Sequence, residues 1–312
     1  MPTRPFRFGV QAGSAHGASD WRDLAREVED LGYSTLFVPD HFIDTEMAPM
    51  VAISFAAAVT ERLRVGMLVL GNDYKHPAVT AKEAATVDLL SEGRLEFGLG
   101  AGWMQTDYEA LGLAYDSPKV RIDRLAEALA VVKGAWSDEP FNHTGPSYTI
   151  RSYNGIPKPV QRPHPPILVG GGGPRLLRLA GREADIVGIN PNLRAGAITN
   201  DAVKSSLADE TAQKIAWVRE GAGDRFDELE LQIRYFLSAI TNDARGLAES
   251  LAPGFGISAD EALASGVALV GTVDEVCDTL VERRERWGVS YVVVGDDTYS
   301  AYAPVVARLA GT

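Results

Sequence analysis

Cysteine is nearly absent from the sequence, and so are long hydrophobic runs. Cys277 is the single cysteine among 312 residues, so no disulfide can form within the chain. A reducing compartment such as the cytoplasm is therefore expected. No uncharged stretch approaches the roughly 20 apolar residues of a membrane-spanning helix, and the first residues show no apolar signal-peptide segment.

Positive charge is also scarce. The chain has 30 lysines and arginines against 42 acidic residues, a net charge of −12. Nucleic acids and anionic membranes attract clustered positive charge, so neither is expected as the main partner. An anionic small molecule would need positive charge supplied locally.

Motifs of several other enzyme classes are missing. The histidines at positions 16, 143 and 164 show no metal-ligand spacing, and no H-E-x-x-H or C-x-x-C occurs, so no metal site is expected. There is no G-x-S-x-G elbow. A Walker A loop is absent, and no dinucleotide-binding glycine pattern follows the first predicted strand.

Short β-branched runs alternate with helical patterns along almost the whole chain. This alternation is typical of βα units and a parallel sheet. Eight strands with eight helices predict an α/β fold, a closed (β/α)8 TIM barrel in one domain covering residues 1–312. The predicted strands are 6–10, 34–40, 63–70, 94–102, 166–171, 185–190, 229–240 and 290–297, and the helices include 20–31, 48–60, 120–136, 174–184, 209–221 and 273–287.

Two segments interrupt this alternation. Residues 138–165 are rich in proline and too long for a plain connection, so a hairpin over the barrel rim is predicted. Residues 243–267 predict two short helical stretches. Because such barrels carry their active sites at the C-terminal ends of the strands, both insertions are expected to shape or cover a substrate pocket.

Asp40 ends the second predicted strand and His41 directly follows it, at that end of the barrel. A histidine there can exchange a proton near neutral pH. The alternative is that Asp40 caps a loop and His41 is a rim histidine with its hydrogen bonds satisfied. The residues alone leave both interpretations open.

Two glycine-rich segments end the fourth and fifth strands. Gly170–Gly173 precedes a predicted helix, where free backbone N–H groups would bind phosphate and Arg175 would add positive charge; a plain turn is the alternative. Gly98–Trp103 would let a flat ring approach the mouth, with Trp103 as a wall. Alternatively, Trp103 packs beneath the following helix.

Three blocks of the sequence carry a family resemblance. They are FVPDH at 37–41, the segment from VGMLVLGNDYKHP to GAGW at 65–103, and PKPVQRPHPPILVGGGGP at 157–174 with AGREAD after it. Their succession resembles the bacterial luciferase-like superfamily, and is most similar to its coenzyme F420-dependent oxidoreductases. The resemblance implies a barrel that holds a flavin or deazaflavin at its mouth.

The resemblance also implies roles for individual residues. Asp40 matches a residue that contacts the deazaflavin ring, and His41 matches the active-site histidine of the family's sugar-phosphate dehydrogenases. Leu68 and Val69 fall where relatives have a cis peptide bond not involving proline. Further cofactor contacts are implied for Gly71, Asn72, Thr106, Gly172, Gly173, Arg175 and Leu176.

Two positions depart from the sugar-phosphate dehydrogenases. Trp103 stands where they have a catalytic glutamate, and the region around Asn190 and Leu193 lacks their phosphate-binding lysine. Their substrate is therefore not expected here, and Trp103 and Asn190 are expected to line a different pocket. His41 acting as a lone acid would suit reduction of an activated C=C or C=N bond, or oxidation of an alcohol.

The expected function is that of an F420-dependent oxidoreductase, which moves a hydride between C5 of the deazaflavin and a small organic substrate. An FMN-dependent monooxygenase of the same fold is one alternative. A non-catalytic flavin-binding relative is another, although a protein that only binds has no need of the Asp40–His41 pair. The family further implies a homodimer, and the substrate stays open.

Overall fold

Eight parallel strands close into a barrel within residues 4–312, the part of the chain that the computed structural model describes. This confirms the predicted (β/α)8 fold. The strands of the chain are β1 (Arg7–Gln11), β2 (Thr35–Val38), β3 (Arg64–Met67), β4 (Leu70–Gly71), β5 (Leu95–Gly100), β6 (Phe141–Thr144), β7 (Thr149–Tyr153), β8 (Ile167–Gly171), β9 (Ile186–Ile189), β10 (Glu230–Arg234), β11 (Leu237–Ile240), β12 (Ala268–Gly271) and β13 (Val289–Gly295).

The order around the barrel decides which strand ends face each other. It runs β3, β2, β1, β13, β10, β9, β8 and β5, and β5 pairs with β3 to close the ring. Consequently β10 lies across from β3, and β9 lies across from β2. All these pairings are parallel, so the C-terminal strand ends share one mouth.

Helices surround the barrel and cover the outer face of the strands. As a result β2, β8 and β13 are buried along their whole length, in agreement with their continuous apolar sequences. The helices are α1 (Ala18–Asp30), α2 (Pro49–Val59), α3 (Pro77–Leu90), α4 (Gln105–Leu111), α5 (Pro118–Trp136), α6 (Pro174–Glu183), α7 (Asn200–Lys204), α8 (Ala208–Ala222), α9 (Ala244–Leu251), α10 (Ala259–Ala264), α11 (Val273–Trp287) and α12 (Tyr299–Leu309).

Several predicted strands extend beyond the observed ones, and two of them run past the point where pairing within the barrel changes. The third ends at Met67, and after the Leu68–Val69 peptide the short β4 resumes pairing with β5. The seventh ends at Arg234, because the chain then leaves the barrel and β11 pairs with β12 in a separate parallel ribbon. An apolar run alone does not reveal such a change of partner.

The interrupting segments have the local structure that their sequences indicate. β6 and β7 form an antiparallel hairpin within residues 138–165. α9 and α10 occupy 243–267, with a 3-10 turn between them. Along residues 4–312, no helix is both long and apolar enough to cross a membrane.

Candidate active site

His41 and Asp107 form the central polar pair of the barrel mouth. His41 follows β2, Asp107 lies in the first turn of α4, and Nδ1 of the histidine is 2.8 Å from Oδ2 of the aspartate. The other oxygen of Asp107 accepts a hydrogen bond from the backbone N–H of Phe42 at 3.0 Å. The Asp107 side chain is fully buried, and these two partners satisfy it. His41 is therefore not a lone acid.

The contact with Asp107 decides which nitrogen of His41 carries a proton. An ionised carboxylate only accepts hydrogen bonds, so Nδ1 is the donor. Nε2 is then the nitrogen left to exchange a proton with a bound molecule. The indole of Trp103 stands edge-on to the imidazole, with ring centres 5.4 Å apart, and limits its rotation.

Asp40 is tied to the segment that follows β3. Its Oδ2 accepts a hydrogen bond from the backbone N–H of Gly71 at 2.9 Å. Burial raises the pKa of Asp40 above its usual range, while the Gly71 hydrogen bond and the proximity of His41 oppose that rise. Both residues after β2 thus belong to one polar cluster at the mouth.

The peptide bond between Leu68 and Val69 is cis, as the resemblance implies. The carbonyl oxygen of Leu68 accepts a hydrogen bond from Gln11 Nε2 at 2.8 Å. Gln11 Oε1 in turn accepts one from Arg234 Nε at 3.0 Å. A chain of hydrogen bonds therefore crosses the mouth from β10 through β1 to the segment after β3.

The loop after β8 presents unpaired backbone N–H groups at the start of α6. Within residues 4–312, those of Arg175 and Leu176 make no hydrogen bond, as is usual in a first helical turn. A Cβ at Gly173 would meet nothing within 4 Å, so the space beside the loop is open. These features fit an anionic group such as a phosphate.

The side chain of Arg175 is engaged elsewhere. It forms a close ion pair with Asp123 of α5, which also accepts a hydrogen bond from Lys119 Nζ at 2.8 Å. Because this ion pair ties the guanidinium to α5, the N–H groups and dipole of α6 supply the positive character of the loop itself. A direct role for Arg175 in holding phosphate stays a prediction.

Asn72 and Thr106 occupy different environments. Asn72 is buried and donates a hydrogen bond from Nδ2 to the hydroxyl of Tyr148 in the hairpin, at 3.2 Å. The insertion therefore reaches the rim of the mouth. Thr106 is exposed on α4, one residue before Asp107.

Asn190 and Leu176 lie on the opposite side of the mouth from His41. Asn190 follows β9, and its Nδ2 lies beside Gly170 inside the barrel. Its carbonyl oxygen accepts a hydrogen bond from Lys214 at 2.7 Å. Leu176 packs its side chain onto Gly171.

Internal packing accounts for three of the glycines in the two predicted ligand loops. A Cβ at Gly98 would lie 1.8 Å from the carbonyl oxygen of Met67, and one at Gly172 would lie 2.1 Å from that of Pro191. Gly102 has φ of +73°, and its Cβ would meet the hydroxyl of Tyr108. Approach of a ring is not needed to explain these glycines.

Asp107, Gln11 and Arg234 were not identified from the sequence. The helix that carries Asp107 was not predicted, so the placement of this carboxylate against His41 had no signal beyond its position four residues after Trp103. Gln11 and Arg234 are polar residues at the last position of a barrel strand. That position was the available signal, because catalytic groups gather there.

A closed parallel barrel with titratable groups gathered at its C-terminal mouth defines the TIM-barrel class of enzymes. The family model for luciferase-like monooxygenases matches residues 4–291. The chain belongs to this family.

The relatives include enzymes named for F420 and enzymes named for FMN. An F420-dependent glucose-6-phosphate dehydrogenase of Nakamurella multipartita is 30% identical over 261 residues, which is 80% of this chain and 73% of the relative. An FMNH2-dependent dimethylsulfone monooxygenase of Pseudomonas putida is 33% identical over 168 residues, 53% of this chain and 46% of the relative. This chain thus spans less than half of the second relative.

The fold itself is matched over nearly its whole length. The F420-dependent tetrahydromethanopterin reductase of Methanopyrus kandleri superposes with a TM-score of 0.76 at 20% identity, covering 98% of this chain and 99% of that one. At this identity the match concerns the fold alone.

Proposed function

We propose that the chain is an F420-dependent oxidoreductase that transfers a hydride between C5 of the deazaflavin and a small organic substrate. The observation that carries this proposal is the His41–Asp107 pair at the barrel mouth, where the 2.8 Å contact leaves Nε2 of His41 free for proton exchange. A bound deazaflavin would supply the hydride chemistry. The 30% identity to a relative named for F420 supports this choice of cofactor.

The chain's own residues would contribute binding, orientation and a proton. Asp107 keeps His41 in the tautomer that exposes Nε2, and its charge stabilises the imidazolium once a proton is taken up. The first N–H groups of α6 would hold the phosphate of the cofactor. Trp103, beside His41, and Asn190, after β9, would line the substrate pocket. Neither can perform the role of the glutamate or the lysine that the sugar-phosphate dehydrogenases have.

An FMN-dependent monooxygenase is the second candidate, and the 33% identity to an FMNH2-dependent relative favours it. Both cofactors carry a flat tricyclic ring and a phosphate, so the loop before α6 suits either. Titrating the purified protein separately with F420 and FMN, and following tryptophan fluorescence, tests the choice. We expect quenching by F420 at low concentration; tight FMN binding with no response to F420 would reverse the assignment.

We further propose that residues 1–312 form one barrel domain and that the protein acts in the cytoplasm. We also propose that two copies pair as a homodimer through α2. This helix contains no charged residue, yet Val51 is 72% exposed and Phe55 is partly exposed. In a chain of net charge −12, an uncharged helix lets two copies meet without like-charge contacts. Sedimentation should give a dimer, and Val51→Glu a monomer; Ile198→Glu, at another exposed apolar residue, should leave the dimer intact.

A further inference from the structure

Arg234 directs a half-buried guanidinium into the barrel mouth. It is the last residue of β10 and lies on the same face as Gln232, whose side chain is inside the barrel. The guanidinium passes over β13 at Gly295, where a Cβ would lie 2.8 Å from Nη2. Its hydrogen bond to Gln11, two strands away, shows that it reaches across the interior.

No carboxylate in the described part of the chain forms an ion pair with Arg234, although Asp297 lies near it: a Cβ at Gly295 would lie 2.3 Å from Asp297 Oδ1 as well as 2.8 Å from Arg234 Nη2. Within residues 4–312, no carboxylate oxygen lies within 4.0 Å of it, and its acceptors are Gln11 Oε1 and the backbone carbonyl of Tyr235. Burial lowers the pKa of Arg234, and the charges of Asp297 and Asp296 oppose this without forming an ion pair. A half-buried guanidinium whose hydrogen-bond acceptors are all neutral is favoured by an anion that can accept directly from its free N–H groups.

Donor groups remain free on this side chain. A guanidinium has five N–H groups, and the two contacts use one from Nε and one from Nη1. Nη2 makes no hydrogen bond within the described chain and is not among its buried unpartnered atoms, so it reaches open space. The remaining planar fork matches the two oxygens of a carboxylate.

The position of Arg234 separates it from the loop expected to hold the cofactor. That loop follows β8, whereas β10 lies across the barrel from β3 and its Leu68–Val69 peptide. Resting on the function proposed above, we propose that Arg234 binds a carboxylate of the substrate, so that this site takes small organic acids. Gln11 positions the guanidinium through its 3.0 Å hydrogen bond.

Paired acids and amides of equal shape test the proposal. Hexanoate with hexanamide, and benzoate with benzamide, are titrated by calorimetry into the protein saturated with whichever cofactor it binds. We expect the wild type to bind at least one acid about tenfold or more tightly than its amide, which corresponds to about 1.4 kcal/mol. Arg234→Gln should abolish this preference, because it weakens binding of the acid far more than binding of the amide.

A second variant keeps the test valid if Arg234→Gln fails to fold. Gln11→Glu is nearly isosteric and gives Arg234 an internal carboxylate, so it should abolish the preference for acids by itself. Arg245→Gln, at an exposed arginine paired with Glu249, is the matched control and should change nothing. Equal binding of acid and amide by the wild type, no binding of any probe, or a preference that survives both mouth variants overturns the proposal.

The outcome is separable from the proposed function. Cofactor binding is measured first, by absorbance. If neither F420 nor FMN binds, the proposed function fails, and the acid–amide comparison is made on the same protein without cofactor. If cofactor binds and the wild type shows no acid preference, the inference about Arg234 fails alone.

Discussion

At the N-terminal end of the barrel, Glu96 accepts hydrogen bonds from Arg64 Nε at 2.8 Å and from the hydroxyl of Tyr291 at 2.9 Å, and Arg7 bridges it to Glu230. At the mouth, the half-buried Arg234 and the buried Lys214 form no ion pair with a carboxylate within residues 4–312. Both ends bury charge, but the first pairs it internally. The comparison indicates that the N-terminal end of the barrel supports stability and that the mouth leaves the guanidinium of Arg234 partly open to a ligand.

His41→Gln should give the largest difference between the two ends of the barrel, because it changes catalysis at the mouth and not stability. Glutamine retains a hydrogen bond to Asp107 but exchanges no proton, so kcat should fall by about 10²- to 10⁴-fold once a substrate is known. Steady-state kinetics measures this, while unfolding and cofactor affinity should stay at wild-type values. Full activity in the variant would remove the acid–base role of His41.

Two companions sharpen that result. His143→Gln changes a histidine that also faces a carboxylate, Glu127 at 3.3 Å, but in the hairpin, and should leave kcat unchanged. Asp107→Asn should lower kcat by roughly 10- to 100-fold with KM unchanged, because it disturbs only the tautomer of His41. A change in KM alone would contradict this positioning role.

Glu96→Ala should produce the opposite pattern. Removing this buried carboxylate leaves Arg64 without a carboxylate partner and Arg7 with Glu230 alone, which costs about 3–5 kcal/mol of unfolding free energy. Denaturant unfolding measures the loss, and Glu96→Gln, which retains a hydrogen-bond acceptor, should lose less. Wild-type stability of the alanine variant would show that the N-terminal end of the barrel does not depend on its ion pairs.

Lys214, near the mouth, makes the unfolding free energy of the protein depend on pH. Burial lowers the pKa of Lys214 from 10.5 to about 8. The unfolded chain therefore keeps this proton to a higher pH, and stability rises as pH increases from about 8 to 10.5, by on the order of 3 kcal/mol. Over that range the wild type should gain stability relative to Lys214→Met, so the unfolding free energy of the wild type minus that of the variant should increase. Parallel pH curves of the two proteins would contradict the assignment.

The smallest stability effect is expected at the loop before α6. Gly173→Ala places its Cβ in open space, so unfolding should change by less than about 0.5 kcal/mol while cofactor affinity falls. Gly172→Ala should destabilise clearly, because its Cβ would collide with the carbonyl of Pro191. Unchanged cofactor affinity in Gly173→Ala would show that the phosphate does not bind at this loop.

Much of the architecture was predictable because it depends on local patterns. The alternation of strands and helices predicted the barrel, and α11 was predicted at its observed bounds, Val273–Trp287. The errors at β3 and β10 have one cause: the residues continue in an apolar run after the strand has ended. Pairing partners, which decide where a strand stops, are distant in sequence.

The site was predictable only where one segment carries it. Asp40 and His41 follow a single strand, and the start of α6 follows another, so their place at the mouth could be inferred from order alone. Asp107 is 66 residues from His41, and Arg234 is 223 from Gln11. No local pattern brings these pairs together.

The sequence by itself determined that eight strands and their helices close into a barrel, and which residues follow each strand. Tertiary structure alone decided that His41 meets a buried carboxylate, that Arg175 pairs with Asp123 and that Arg234 forms no ion pair within the described residues. The physical reason is that hydrophobic periodicity is a local property of the chain. The partner of a charged group is set instead by the order and register in which distant strands close the barrel.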